Sequence, residues 1–177
     1  MIVMVDVMAE NQYLLATMDQ RDLDILALLQ DNGRISNSEI GRRLGVAPSA
    51  ILERIRKLER QGAIRGYSAK LDADQLGLGL LSFIFVQADE RPGGADLGGR
   101  LAAIPEVQEV HHIAGEDCYL IKVRCRSTEA LGKLLKQRLG AFEEVRRTRS
   151  IVVLGTIREE SSLPLPAGAA EGRDDRD

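Results

Sequence analysis

Tryptophan is absent from this 177-residue chain, and three phenylalanines and three tyrosines make up its aromatic content. With 44% hydrophobic residues it can still bury a core, but one built mainly from Leu, Ile, Val and Ala. The cysteines are two, Cys118 and Cys125, with no CxxC pair and no Cys/His cluster. On a single strand their odd spacing puts them on opposite faces, roughly 23 Å apart at ~3.3 Å per residue. Neither a disulfide scaffold nor a zinc site is indicated. No apolar run approaches the ~20 residues that span a bilayer. The opening MIVMVDVMAENQYLLATM is interrupted by acidic residues and lacks a basic start, so it does not read as a secretion signal. A soluble, cytoplasmic protein is expected, with no membrane partner.

Catalytic signatures are missing as well. Gly77 and Gly79 do not complete GxGxxG because position 82 is Ser, and there is no P-loop. His111 and His112 are neighbours on a strand and face opposite ways, with no ligand set beside them. The glycines at 93, 94, 98 and 99 read as a loose loop and a helix start. An enzyme, a metal site and a cofactor are therefore not expected.

Charge is present, but unevenly. Residues 18–70 carry ten Lys/Arg against seven Asp/Glu, a net of +3, while residues 159–177 carry two against six, a net of −4. The acidic tail masks a modestly basic N-terminal unit, which points to an anionic partner.

Periodicity divides the chain. Asp19–Gln30 suits a helix with Ile25, Leu26 and Leu29 on one face, stopped at Gly33. Ser36 and Glu39 form the S-x-x-E of a capping box and open a second, short helix containing Ile40 and Leu44. Gly45 is a corner. Pro48 sits at the first turn of a third helix, where its missing N–H costs nothing. That helix runs to about Gln61, is stopped by Gly62, and has Ile51, Ile55 and Leu58 as its apolar stripe. Ala63–Leu71 reads as an extended wing strand and exit. Strands are then expected at Leu80–Ala88, Val107–Ile113, Tyr119–Cys125 and Val145–Ile157. Helices are expected at Ala95–Ile104 and Thr128–Leu139, with Leu97, Leu101 and Ile104, and Leu131, Leu134 and Leu135, facing inward. The expected fold is α+β. It places a three-helix, winged-like helix-turn-helix domain over 18–65 and a strand or linker over 66–79. A ferredoxin-like βαββαβ domain follows over 80–158, then a disordered tail over 159–177. An open apolar sheet face on so small a domain implies a homodimer.

In a helix-turn-helix the second helix enters the DNA major groove. With Ile51 at 0°, Ile55 falls near 40° and Leu58 near −20°, at ~100° per residue. Ser49, Glu53, Arg56 and Arg60 lie on the opposite side, with Lys57 beside them and Ala50 in the first turn. Arginine suits guanine and a carboxylate can accept from cytosine, so Arg56 is a candidate base reader and Glu53 is either a base reader or a penalty against phosphates. Arg54, near −60°, flanks the stripe and is a candidate backbone contact. Arg34, Arg42 and Arg43 would touch phosphates, which position a protein without reading sequence.

LLQDNGRISNSEIGRRLGVAPSAILERIRKLERQGAIRGYSAKLD resembles the DNA-binding domain of the Lrp/AsnC family of transcriptional regulators. EVHHIAGEDCYLIKVR resembles the central turn of that family's effector-binding domain, called RAM, and RTRSIVVLGTI its last strand. The resemblance covers about residues 18–158. It implies sequence-specific binding of double-stranded DNA, dimers and often octamers assembled through RAM domains, and an amino acid or related small-molecule effector held near the glycine turn. Carried over, it places Gly115, Glu116, Asp117 and Cys118 near the effector, with Thr148 and Ser150 from the last strand. Cys118 and Ala114 stand where the family often has more polar residues, and Ala47 where a capping Ser is common. Two other readings fit parts of the chain. One is a nucleoid-type architectural DNA-binding protein without an effector. The other is an ACT-like regulatory module, which leaves residues 18–70 unexplained.

Overall fold

The computed structural model describes residues 18–89 and 96–166. The N-terminal extension over 1–17, Gly93, Gly94 and the end of the tail lie outside the described residues. The chain divides into two compact units: one runs up to Ala69 and takes up the segment from Glu160, the other is Lys70–Glu159.

The first unit contains α1 (Gln20–Asp31), α2 (Asn37–Leu44) and α3 (Pro48–Arg60). Asp19 caps α1, accepting from the Asp22 amide at 2.9 Å, while the Asp22 carboxylate accepts from the Asp19 amide at 3.4 Å. This is a reciprocal capping box. The α1 stop falls on Asn32, which is extended at φ −142°, rather than on Gly33. Ser36 caps α2 by accepting from the Glu39 amide at 3.1 Å. The return half of that expected box is not made, because the Glu39 carboxylate is taken by Arg42 and Arg43.

Gly45 ends α2 in the left-handed region at φ 65°, where a side chain is strained. Gly41 serves the same corner differently, since a Cβ there would run into the Val46 carbonyl oxygen. Ala47 gives α3 no side-chain cap, and Pro48 occupies the first turn as expected. Ile25, Ile40, Ile51, Ile55 and Leu58 form the core of this unit. Burying such a side chain contributes about 1.5–3 kcal/mol. No wing strand forms over 63–71. The Ala63 and Ile64 amides turn back to the Leu58 carbonyl, at 3.0 and 3.2 Å, and no strand is present among the described residues of this unit to pair with the segment.

The second unit follows the expected βαββαβ order: β1 (Leu80–Ala88), α4 (Leu97–Ala102), β2 (Val107–His112), β3 (Tyr119–Cys125), α5 (Thr128–Lys133) and β4 (Val145–Val152). The strands line up β2-β3-β1-β4, all antiparallel, as in a ferredoxin-like sheet. The expected helix over Thr128–Leu139 does not stay α-helical. After α5 it widens into a π-helical turn, Leu134–Arg138, and tightens into a 3₁₀ turn, Leu139–Ala141, with Leu131, Leu134 and Leu139 all buried. β4 stops at Val152 instead of Ile157. Its neighbour β1 begins at Leu80, and the Val153 amide makes a last bond to the Leu81 carbonyl.

Alternation gives the sheet two unlike faces. Ile84, Val86, Ile121 and Val123 point into the core with Leu97, Leu101 and Leu131. The other face carries Phe83 opposite Ile151 and Lys122, and Phe85 opposite Arg149 and Leu120. The start of the expected disordered tail has definite partners. Glu159 bridges Lys122 and Arg124, and the Leu163 backbone exchanges two hydrogen bonds, at 2.7 and 3.1 Å, with the Gln30 side chain.

Candidate nucleic-acid interface and ligand turn

The apolar stripe of α3 is sunk into the three-helix core, so its opposite side must face outward. Ser49, Ala50, Glu53, Arg56 and Arg60 are all exposed there. Arg56 meets Glu53 one turn back at 3.2 Å. Exposed pairs of this kind add little stability and are easily exchanged for another anion. Arg34, Arg42 and Arg43 are exposed as well. Arg42 and Arg43 share the Glu39 carboxylate at 2.7 and 2.8 Å. Hydrogen bonds from Arg42 and then Arg43 hold Glu39 down to about 2, well under the usual carboxylate range.

Arg54 is placed differently from the sequence expectation. Its guanidinium turns inward, with Nη1 donating to both Asp19 oxygens at 2.9 and 2.8 Å and to Asp22 Oδ1 at 2.6 Å. Asp22 is fully buried, and Lys57 Nζ donates to its other oxygen at 3.3 Å. The physical reason is that a buried carboxylate must be paired, and Arg54 on the flank of the stripe is within reach. Asp19 is shifted below its usual value, first by the Asp22 amide and then by Arg54. Lys57 shares this inward engagement through Asp22.

In the second unit the β2–β3 turn brings Gly115, Glu116, Asp117 and Cys118 together. Gly115 sits at φ 137°, a conformation that favours glycine. Asp117 approaches Arg149 of β4, 3.5 Å from Nη2, and the Arg149 guanidinium lies 4.0 Å over the Phe85 ring. The Cys118 thiol is engaged with the Ala88 carbonyl at 3.1 Å. Thr148 and Ser150 pair with Val86 and Ile84, whose side chains enter the core. Their side chains therefore leave the sheet on the opposite face from Arg149. The structure brings Asp117 to Arg149, and sets Thr148 and Ser150 on the other face. Neither Arg149 nor Asp22 stands out from the sequence pattern. An acidic residue at the capped start of α1 and an arginine beside the α3 stripe was the available signal for Asp22.

A family model described as winged helix-turn-helix DNA-binding matches residues 18–65, and one described as Lrp/AsnC ligand binding domain matches residues 81–163. The leucine-responsive regulatory protein of Salmonella typhimurium is 38% identical over 152 residues, covering 84% of this chain and 92% of that protein. The chain belongs to the Lrp/AsnC family. It is an Lrp/AsnC transcriptional regulator with a helix-turn-helix DNA-binding domain and an amino-acid-binding type of C-terminal domain. Solved structures agree. A transcriptional regulator of Neisseria meningitidis in complex with L-methionine superposes with a TM-score of 0.79 at 32% identity, covering 84% of this chain and 97% of that one. A feast or famine regulatory protein from M. tuberculosis complexed with L-methionine gives 0.76 at 34%, covering 84% and 99%. In this Lrp/AsnC chain no described helix is long and apolar enough to cross a membrane.

Proposed function

We propose that this regulator reads duplex DNA with the outer face of α3, as a dimer or larger assembly, and that an amino acid held near the β2–β3 turn modulates the binding. The observation that carries the DNA half is the two-sidedness of α3: Ile51, Ile55 and Leu58 are buried while Ser49, Glu53, Arg56 and Arg60 are exposed. The N-terminal turn of such a helix reaches base edges, and Arg42, Arg43 and Arg34 are available for flanking phosphates. Two units on a twofold axis require half-sites ~34–36 Å apart, or a multiple of that spacing.

The assembly half rests on the open sheet face. Phe83, Phe85, Leu120 and Ile151 lie on it, and beyond β4 the side chains of Leu154 and Ile157 are fully exposed. A second copy covers such a face by symmetry. The effector half rests on the turn, where Gly115, Asp117 and Arg149 put an anion and a cation side by side. A zwitterion needs both. Two relatives solved with L-methionine support an amino acid as its class. Coupling then follows by linkage: an effector that prefers one assembly state shifts DNA affinity. The protein acts in the cytoplasm, without a cofactor and without catalysing a reaction.

A second reading keeps the DNA half and drops the effector. It is favoured by the Cys118 thiol, which is already spent on Ala88, and by Ala114, which offers no polar group. A thermal-shift screen of the twenty amino acids on the full chain decides between them. At 100 times its dissociation constant a ligand stabilises the folded state by about 2.7 kcal/mol. A rise with methionine or a related amino acid supports the effector reading, and no shift with any of the twenty supports the architectural one.

A further inference from the structure

The DNA-facing side of α3 is useful only if the helix keeps one rotational setting. A turn of ~20° about its axis moves side-chain tips at ~6 Å radius by ~2 Å. That exceeds the tolerance of a hydrogen bond to a base edge. α3 is held on the core by its own Ile51, Ile55 and Leu58 against Ile25 of α1 and Ile40 of α2, and the hydrophobic attraction between them is non-directional. Nor is the helix start pinned by a side chain, because Ala47 makes no cap bond. Among the described residues, directional contacts reach α3 from the start of α1, where the Asp22 carboxylate is buried. Arg54 Nη1 reaches Asp22 Oδ1 at 2.6 Å and Asp19 at 2.8–2.9 Å, and Lys57 reaches Asp22 Oδ2 at 3.3 Å. Asp22 is fully buried and Arg54 is 30% exposed. Asp19 and Asp22 are themselves locked to each other by the α1 capping box.

We propose that Asp22 and Arg54 are positioning residues for DNA recognition: the ion pair fixes the rotation of α3 against α1, so that Ser49, Glu53 and Arg56 meet the bases in register. This rests on the DNA-binding reading above. Buried ion pairs contribute little net stability compared with apolar packing, and their best-attested use is to fix register. Arg54 sits between Glu53 and Ile55 in sequence, so the clamp acts on the same turn that carries the candidate reader.

The test compares the full chain with Asp22→Asn, which keeps the shape and removes the charge, and Arg54→Met, which keeps the stem and removes the fork. Each is titrated, well below its melting point, with a duplex selected by the parent protein from a random pool and with an unselected duplex. Failure of the parent to prefer any duplex would refute base reading by α3, on which the proposal rests, before the variants are considered. Given a preference, both variants should lose about tenfold or more on the selected duplex, as one misread base pair costs. On the unselected duplex they should stay within about threefold of the parent, with an unchanged salt slope. The double variant should be no worse than the worse single one, since both act through one contact. A shallower salt slope and equal losses on both duplexes for Arg54→Met would make Arg54 a phosphate ligand and overturn the proposal. So would variants with undiminished preference. Asp22→Asn buries no charge and leaves Arg54 on the exposed Asp19, so it keeps the test open even where Arg54→Met, which strands the buried Asp22 carboxylate, unfolds.

Discussion

Replacing Arg56 by Ala removes a side chain that is 56% exposed and whose described partner is Glu53, 3.2 Å away. On DNA, a guanidinium bidentate to guanine is worth about 1–3 kcal/mol of discrimination. Against this stands the cost of leaving Glu53, about 0–1 kcal/mol for an exposed pair. The net loss on substitution is then up to ~3 kcal/mol, or as much as about 150-fold weaker binding of a selected site. Stability should change by less than ~0.5 kcal/mol, since the side chain fills no core space. Fluorescence anisotropy with a selected duplex, repeated with the base under Arg56 varied, measures the affinity and the base preference, and thermal unfolding measures the stability. The variant should bind more weakly and become indifferent at one base position in each half-site. Equal weakening on every duplex, with full preference retained, would refute base reading by Arg56 and leave it a phosphate contact.

Glu39→Gln should free Arg42 and Arg43 and steepen the salt dependence of DNA binding, by a slope of about 0.9 for each phosphate gained; an unchanged slope would place both arginines away from the backbone. The same variant has a pH signature. Glu39 is depressed to about 2, so its contribution to stability is present above the ordinary value of 4.5 and is lost as pH falls toward 2. Acid unfolding of the parent across that window should therefore be steeper than that of Glu39→Gln, as followed by circular dichroism. Phe85→Glu puts a carboxylate beneath the Arg149 guanidinium on the open sheet face and should yield monomers by light scattering; a full-size oligomer would place the interface elsewhere.

Much of the fold was legible because it follows from periodicity. The stripe of Ile51, Ile55 and Leu58, the corner at Gly45 and the strand Leu80–Ala88 are each set by residues close in sequence. What escaped depends on partners far along the chain or on competition between local options. S-x-x-E encodes a capping box equally well as a helix start with a free acid, and Arg42 and Arg43, three and four residues on, decided the fate of Glu39. The end of β4 is dictated by where β1 begins: Val152 pairs with Ser82, near the start of β1 at Leu80 and far back along the chain. The wheel angle of Arg54 allowed a phosphate contact, while its use is fixed by Asp22 on another helix. The turn glycine Gly115 was readable, but the faces taken by Arg149, Thr148 and Ser150 depend on the pairing of β4 with β1.

We place the outer face of α3 in the major groove of the duplex. Dimethyl sulfate probing of a selected duplex tests this placement directly, because the reagent methylates guanine N7 in the major groove and adenine N3 in the minor groove. Guanine N7 should be protected in two patches about 34–36 Å apart, or a multiple of that, with the protection lost from both patches in Arg56→Ala. Protection confined to adenine N3, or guanine protection that survives Arg56→Ala unchanged, would contradict the placement.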